Sequence, residues 1–232
     1  MFGLFHKKKK HAIDESARIS DVRFVVVDTE LTGLDEKKDS IVSIGAVRMT
    51  GGRIDLGDQF YKLVSPKTAL KADSVCIHEI TPADVCEQPG IEAGLDAFLD
   101  YAGNDVLVGH FISIDQSFLN REMKRIHGCK LPNPAIDTFS IYEWLRKRQR
   151  ARDCFATPVA GYRLYDIIKC FDIPVSGAHN AIMDAFATAQ LFQRFIPYLA
   201  DAGAQDIGEL LKVGTPFEGG DQFNTSSEFG NF

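Results

Sequence analysis

The stretch V-R-F-V-V-V-D-T-E-L-T-G-L, running from Val22 to Leu34, decides how the rest of the chain is read. Val22 to Val27 is a β-branched apolar run, short enough for a strand buried on both faces. It ends in Asp28-Thr29-Glu30. Side chains two residues apart on a strand point to the same side, so Asp28 and Glu30 share a face. Two ionised acids at the end of a buried run are costly unless a cation compensates them. Taken alone, Asp-x-Glu also fits a strand end with two solvated acids.

Working outward, Ile41 to Met49 and Ile54 to Val64 are two further strand patterns, separated by Thr50-Gly51-Gly52, a hairpin signal. The first three strands therefore form an antiparallel meander. A helix ending near Tyr101 precedes a short buried strand, Val106 to Gly109. The next helix opens at Ser113-Ile-Asp-Gln116 with the spacing of a capping box and stops at Gly128. A brief strand, Ala135 to Asp137, leads into a long helix through Ile141 and Trp144, with Asp137 as its cap. A short helix follows at Leu164 to Phe171. Ile182, Ala185, Phe186, Ala189, Phe192, Ile196 and Leu199 then recur at helical spacing. A meander followed by alternating helices and strands predicts an α/β fold: a mixed five-stranded sheet with helices on both faces.

Two more acids join Asp28 and Glu30. Asp115 falls in the first turn of the helix after Val106 to Gly109, where an acid also suits the helix dipole. Asp184 lies five residues after His179, within a helix whose neighbours Met183, Ala185 and Phe186 are apolar. His179 alone fits a structural histidine. Together, four carboxylates at element ends make an oxygen-rich site suited to Mg²⁺ or Mn²⁺. No second His or Cys has the spacing that zinc needs.

V-V-D-T-E-L-T-G-L (Val26 to Leu34), G-H-F-I-S-I-D (Gly109 to Asp115) and H-N-A-I-M-D-A (His179 to Ala185) resemble the three motifs of the DEDDh 3′–5′ exonucleases, a family that includes the proofreading epsilon subunits of bacterial DNA polymerase III. Order and spacing agree over about Val22 to Leu199. The resemblance implies a ribonuclease H-like fold. It also implies a two-metal hydrolysis of phosphodiester bonds at single-stranded 3′ ends, releasing nucleoside 5′-monophosphates. Asp28, Glu30 and Asp184 would hold the metal that activates water, Asp28 would bridge to a second metal near Asp115, and His179 would be the general base. Thr29, Leu31, Leu34 and Phe111 are the candidate substrate contacts. Leu34 would wedge against a terminal base or pack in its loop; Phe111 would stack on a base or be buried beside the strand end. The chain departs from the family at Leu31 (often Thr), Phe111 (usually Asn), Asn180 (often Arg) and Glu79 (usually Gly), which leaves DNA against RNA open. The partners expected are single-stranded DNA or RNA 3′ ends, with a DNA polymerase subunit or a second copy of the chain also open. A non-catalytic binding module is the alternative of a different class.

The ends and the composition bound the remainder. The 232 residues, 45% apolar and 25% charged, fit one domain with extensions. Residues 1–20 read as a flexible basic arm with Lys7 to Lys10 as a solvated run, 21–212 as the exonuclease domain, and 213–232 as a disordered acidic tail. Five widely spaced cysteines suit a reducing cytoplasm. No apolar run approaches the roughly 18 residues of a membrane span. The net charge of −6 gives no bulk attraction to nucleic acid and is compatible with an enzyme that grips only a few nucleotides, their phosphate binding to the metals rather than to a basic surface. Arg146 to Arg152, rich in cations, reads either as a contact to a nucleic-acid backbone or as a solvated helix end.

Overall fold

The computed structural model describes residues 13–149, 152–156, 159, 161–174 and 177–216. Five strands, β1 (Arg23–Leu31), β2 (Ile41–Thr50), β3 (Arg53–Leu63), β4 (Val106–Gly109) and β5 (Ala135–Asp137), form one sheet in the order β3-β2-β1-β4-β5. β1, β2 and β3 pair antiparallel, whereas β4 and β5 add parallel to β1. The mixed five-stranded sheet is the one the sequence predicts, and the Gly51-Gly52 turn joins β2 to β3. The helices are α1 (Ala72–His78), α2 (Pro82–Val85), α3 (Ile91–Ala102), α4 (Ser113–His127), α5 (Thr138–Arg148), α6 (Asp153–Ala156), α7 (Leu164–Ile168), α8 (Ala181–Asp201) and α9 (Ile207–Val213). Among the described residues no helix is long and apolar enough to cross a membrane.

The β1 valines separate two cores by the period of the strand. Phe24 and Val26 face a cluster built with α5, α7, α8 and α9, where the Phe24 and Phe192 rings meet edge to face at 5.2 Å. Val25 and Val27 face a second cluster with Leu95 and Phe98 of α3 and Phe118 and Leu119 of α4. Burying side chains of this size stabilises by about 1.5–3 kcal/mol each. Even-numbered residues of β1 therefore look to α8 and odd-numbered ones to α4, and that parity continues into Asp28, Thr29 and Glu30.

One glycine sets how α8 meets the sheet. Gly45 of β2 lies opposite Asp28, and a Cβ there would sit 2.3 Å from the Ala181 carbonyl carbon and the Ile182 nitrogen. The start of α8 thus rests directly on the backbone of β2. At the far end of β1 the register shifts between Glu30 and Leu31, which pair with Ser43 and Ile41, so Val42 of β2 is the extra residue beside the acids.

Several expectations change. The helix α4 is not opened by a Ser113 capping box: its N-cap is buried Ile112, with no side-chain cap, and Ser113 is already helical. Phe111, at φ 53°, turns the chain one residue earlier. Residues 13–20 do not form a loose arm; Ile13, Ala17 and Ile19 pack on the first core, and Ile19–Asp21 make a 3-10 turn. At the other end, α9 packs on the same core and the Gly214 carbonyl accepts the Asp137 N–H at 2.8 Å. Lys7 to Lys10 and residues 217–232 lie outside the described residues. Within the basic run, Arg146 pairs with Glu143, Arg148 stacks on Trp144 at 3.9 Å, and Arg152 pairs with Asp201.

Candidate active site

Asp28 and Glu30 leave β1 on the α8 face, and Asp184 descends onto them from the first turns of α8. One carboxylate oxygen from each lies within 4.8 Å of the other two. Burial, then repulsion from Asp115, Asp184 and Glu30, pushes Asp28 well above the usual carboxylate range. Burial, then Asp184 and Asp115, raises Glu30 to about 8. Asp184 is raised by burial too, against hydrogen bonds from the Tyr165 hydroxyl and the His179 main chain and the proximity of the His179 ring. Three acids forced together by the fold, with oxygen donors and no sulfur, fit a hard divalent cation.

Asp115 stands on the other side of β1. Thr29, of odd parity, donates from Oγ1 to Asp115 Oδ1 at 2.6 Å. Burial raises Asp115 to about 7, partly offset by that bond. Asp115 is close enough to raise Asp28 and Glu30, yet it is not one of the tight trio. The Thr29 hydroxyl is thereby occupied in orienting an acid.

His179 is exposed at the mouth of the cluster, in the left-handed region at φ 62°, one residue before the Asn180 cap of α8. Its ring lies 5.9 Å, centroid to centroid, from Tyr165. Tyr165 donates a hydrogen bond to Asp184 Oδ1, and burial followed by Asp184 raises the phenol, so it stays a donor. Nothing in the spacing of the sequence marks Tyr165, because α7 has five residues and lies well before Asp184.

The remaining candidates divide. Leu34 is 46% exposed on the loop after β1. Leu31 is partly buried against the second core. Phe111 is half-embedded, its ring 4.6 Å from Phe139 and 4.8 Å from His110, and its N–H donates to Asp137 Oδ1. Asp137 also caps α5 through the Phe139 N–H, as its place in the sequence predicts. His110 is structural: its ring meets Thr138 Oγ1 and the Tyr162 carbonyl, both at 2.9 Å, and burial lowers it to about 4.

The loop that carries Leu34 is braced from below, a feature sequence patterns do not show. Asp39, 2% exposed, accepts from Lys71 Nζ at 2.6 Å, Thr32 Oγ1 at 3.1 Å and the Asp35 N–H at 3.0 Å. Burial raises Asp39, but these bonds outweigh it and hold the acid low. Arg121 of α4 donates to the Asp39 and Glu36 carbonyls.

A family model described as "Exonuclease" (RNase_T) matches residues 25–192, a span that holds every acid above and His179. The chain belongs to this exonuclease family. The exonuclease is 34% identical over 179 residues to the DNA polymerase III subunit epsilon of Aquifex aeolicus (strain VF5), covering 77% of this chain and 83% of that protein. It is also 34% identical over 178 residues to the PolC-type DNA polymerase III of Oceanobacillus iheyensis, but this match spans 12% of that longer protein. Solved structures share its fold, two of them as follows. Exonuclease X in complex with 5′ overhanging duplex DNA superposes with a TM-score of 0.58 at 24% identity, over 82% of this chain and 99% of that one. E. coli Exonuclease I in complex with a dT13 oligonucleotide gives 0.66 at 17% identity, over 78% and 42%. The ribonuclease H-like arrangement expected from the motifs is therefore the observed fold, and the protein is a hydrolytic exonuclease.

Proposed function

We propose that the protein removes nucleotides one at a time from single-stranded DNA 3′ ends, using two Mg²⁺ or Mn²⁺ ions and releasing nucleoside 5′-monophosphates. One observation carries the reading: Asp28, Glu30 and Asp184, from two elements, converge within 4.8 Å although burial and mutual repulsion oppose their ionisation. Cations held by Asp28, Glu30, Asp115 and Asp184 would supply Lewis-acid activation of water and charge stabilisation of an in-line phosphoryl displacement. His179 takes the proton of the attacking water on a ring nitrogen and, being exposed, passes it to solvent. The new oxygen–phosphorus bond forms as the bond to the 3′-oxygen breaks, and that oxygen takes its proton from solvent. Thr29 holds Asp115 in place, and the Asp39 brace presents Leu34 for packing on the terminal base. Phe111 forms an apolar wall at the end of β4. DNA is favoured over RNA, and a polymerase as partner, because the relatives include a DNA polymerase III epsilon subunit and the two structures compared above hold DNA.

The test uses matched 5′-labelled DNA and RNA oligonucleotides with Mn²⁺, Mg²⁺ or EDTA, beside Asp184→Asn. A ladder shortening from the 3′ end, faster on DNA and dependent on both metal and Asp184, is expected. Faster RNA shortening would reassign the substrate. A folded protein with no product under either metal would leave a nucleic-acid-binding module.

A further inference from the structure

We infer that Tyr165 is a positioning residue for Asp184: its hydroxyl fixes the carboxylate in the rotamer that completes the trio with Asp28 and Glu30. The inference rests on the metal-dependent reading above. In α7, Leu164, Ile167 and Ile168 are buried against the first core, which anchors the short helix by one face. Tyr165 stands off that face, and its hydroxyl reaches Asp184 Oδ1 on α8. The same ring flanks the His179 imidazole at 5.9 Å, so one side chain borders both functional residues of the third motif.

The geometry supplies a reason for such a clamp. Asp184 is surrounded by like charge, and a free carboxylate on a helix would rotate away from Asp28 and Glu30 toward solvent. A donor on one oxygen opposes that rotation. A carboxylate offers about four acceptor positions, so a single phenol leaves the others available to a cation. Groups that orient metal ligands in this way typically change metal affinity by about 10- to 100-fold when removed. Residues 19 positions apart, on separate helices, make the contact.

The measurement is Mn²⁺ binding by electron paramagnetic resonance, without nucleic acid, for wild type, Tyr165→Phe, Tyr165→Leu and Asp184→Asn. Wild type should bind and Asp184→Asn should bind poorly. Failure of that pair would overturn the metal reading itself. With it satisfied, Tyr165→Phe, which keeps the ring and loses only the hydroxyl, should raise the Mn²⁺ dissociation constant by about 10-fold while its melting temperature in EDTA stays that of wild type. Its oligonucleotide KM should be unchanged, and kcat should recover as Mn²⁺ is raised. Tyr165→Leu should show the same affinity loss. A Tyr165→Phe protein that binds Mn²⁺ within two-fold of wild type, with only the Leu variant impaired, would reduce Tyr165 to packing and overturn the inference.

Discussion

At the scale of single residues, the acids of the cluster are held together at the expense of stability. Asp28 is driven upward first by burial and then by Asp115, Asp184 and Glu30, so neutralising a member relieves the rest. Asp184→Asn should therefore lower hydrolysis by at least about 10³-fold, since charge stabilisation by metal is worth several kcal/mol. In EDTA at pH 8 the same variant should melt higher than wild type. A lower melting temperature would contradict that repulsion. His179→Ala should reduce kcat by about 10²- to 10⁴-fold at unchanged Mn²⁺ affinity, the range of a general base; near-full turnover would remove His179 from that role. Glu79 occupies the left-handed C-cap of α1 at φ 59°, a conformation that strains a residue with a Cβ. Glu79→Gly should stabilise by up to about 1 kcal/mol, measured by denaturant midpoint, with the greater freedom of glycine in the unfolded chain offsetting part of the relief.

At the scale of elements, the site depends on how closely α8 lies on β2. Gly45→Ala would push the Ala181–Ile182 backbone away from the strand. The expected result is a folded protein with Mn²⁺ affinity reduced about 10-fold or more, because Asp184 moves with its helix while Asp28 and Glu30 stay on β1. Unaltered Mn²⁺ affinity in that variant would show that the close approach is not what positions Asp184. Elements marked by an apolar run or stripe were legible in the sequence: β4, β5 and the meander fall where the apolar runs place them, and α8 follows its 3.6-residue stripe. Several short helices were not. α1, α2 and α6 have too few turns to display a period, and the Ser113 spacing matched a capping box that the left-handed Phe111 pre-empted. The acids and His179 were legible because their spacing is local to three segments. Tyr165 and the Asp39–Lys71 brace arise from contacts between distant segments, which no local pattern records.

At the scale of the whole molecule, the crowded acids should couple stability to pH and, on the proposed metal-dependent reading, to Mn²⁺. Glu30, at about 8 in the fold against an ordinary 4.5, keeps a proton that the unfolded chain has already lost, and Asp115, at about 7, does likewise. Their contribution is present at low pH and is lost as pH rises through these folded values. His110, lowered to about 4, acts in the opposite sense below about pH 6.5. In EDTA the melting temperature should thus fall between pH 6.5 and 8.5, and saturating Mn²⁺ at pH 8.5 should restore it, since the cation binds only the assembled carboxylates. A flat profile in EDTA would argue against the buried repulsion. The outer limits of this body were the least legible part, because the packing of Ile13 to Ile19 on α9 joins the two ends of the described chain, which no local pattern records. They join through main-chain bonds: Ile207 N–H to the Ala17 carbonyl at 3.0 Å, Gly208 N–H to Glu15 at 2.9 Å and Ile19 N–H to Gln205 at 3.1 Å. The described fold therefore begins and finishes along one seam. A body sewn shut in this manner can be spliced into a loop of a larger host without prising that loop apart, at a closure cost that grows only slowly with linker length. It also tolerates rewiring: joining residue 216 to residue 13 through a short Gly/Ser linker, with new ends at exposed Cys129, should give a cooperatively melting, metal-binding permutant.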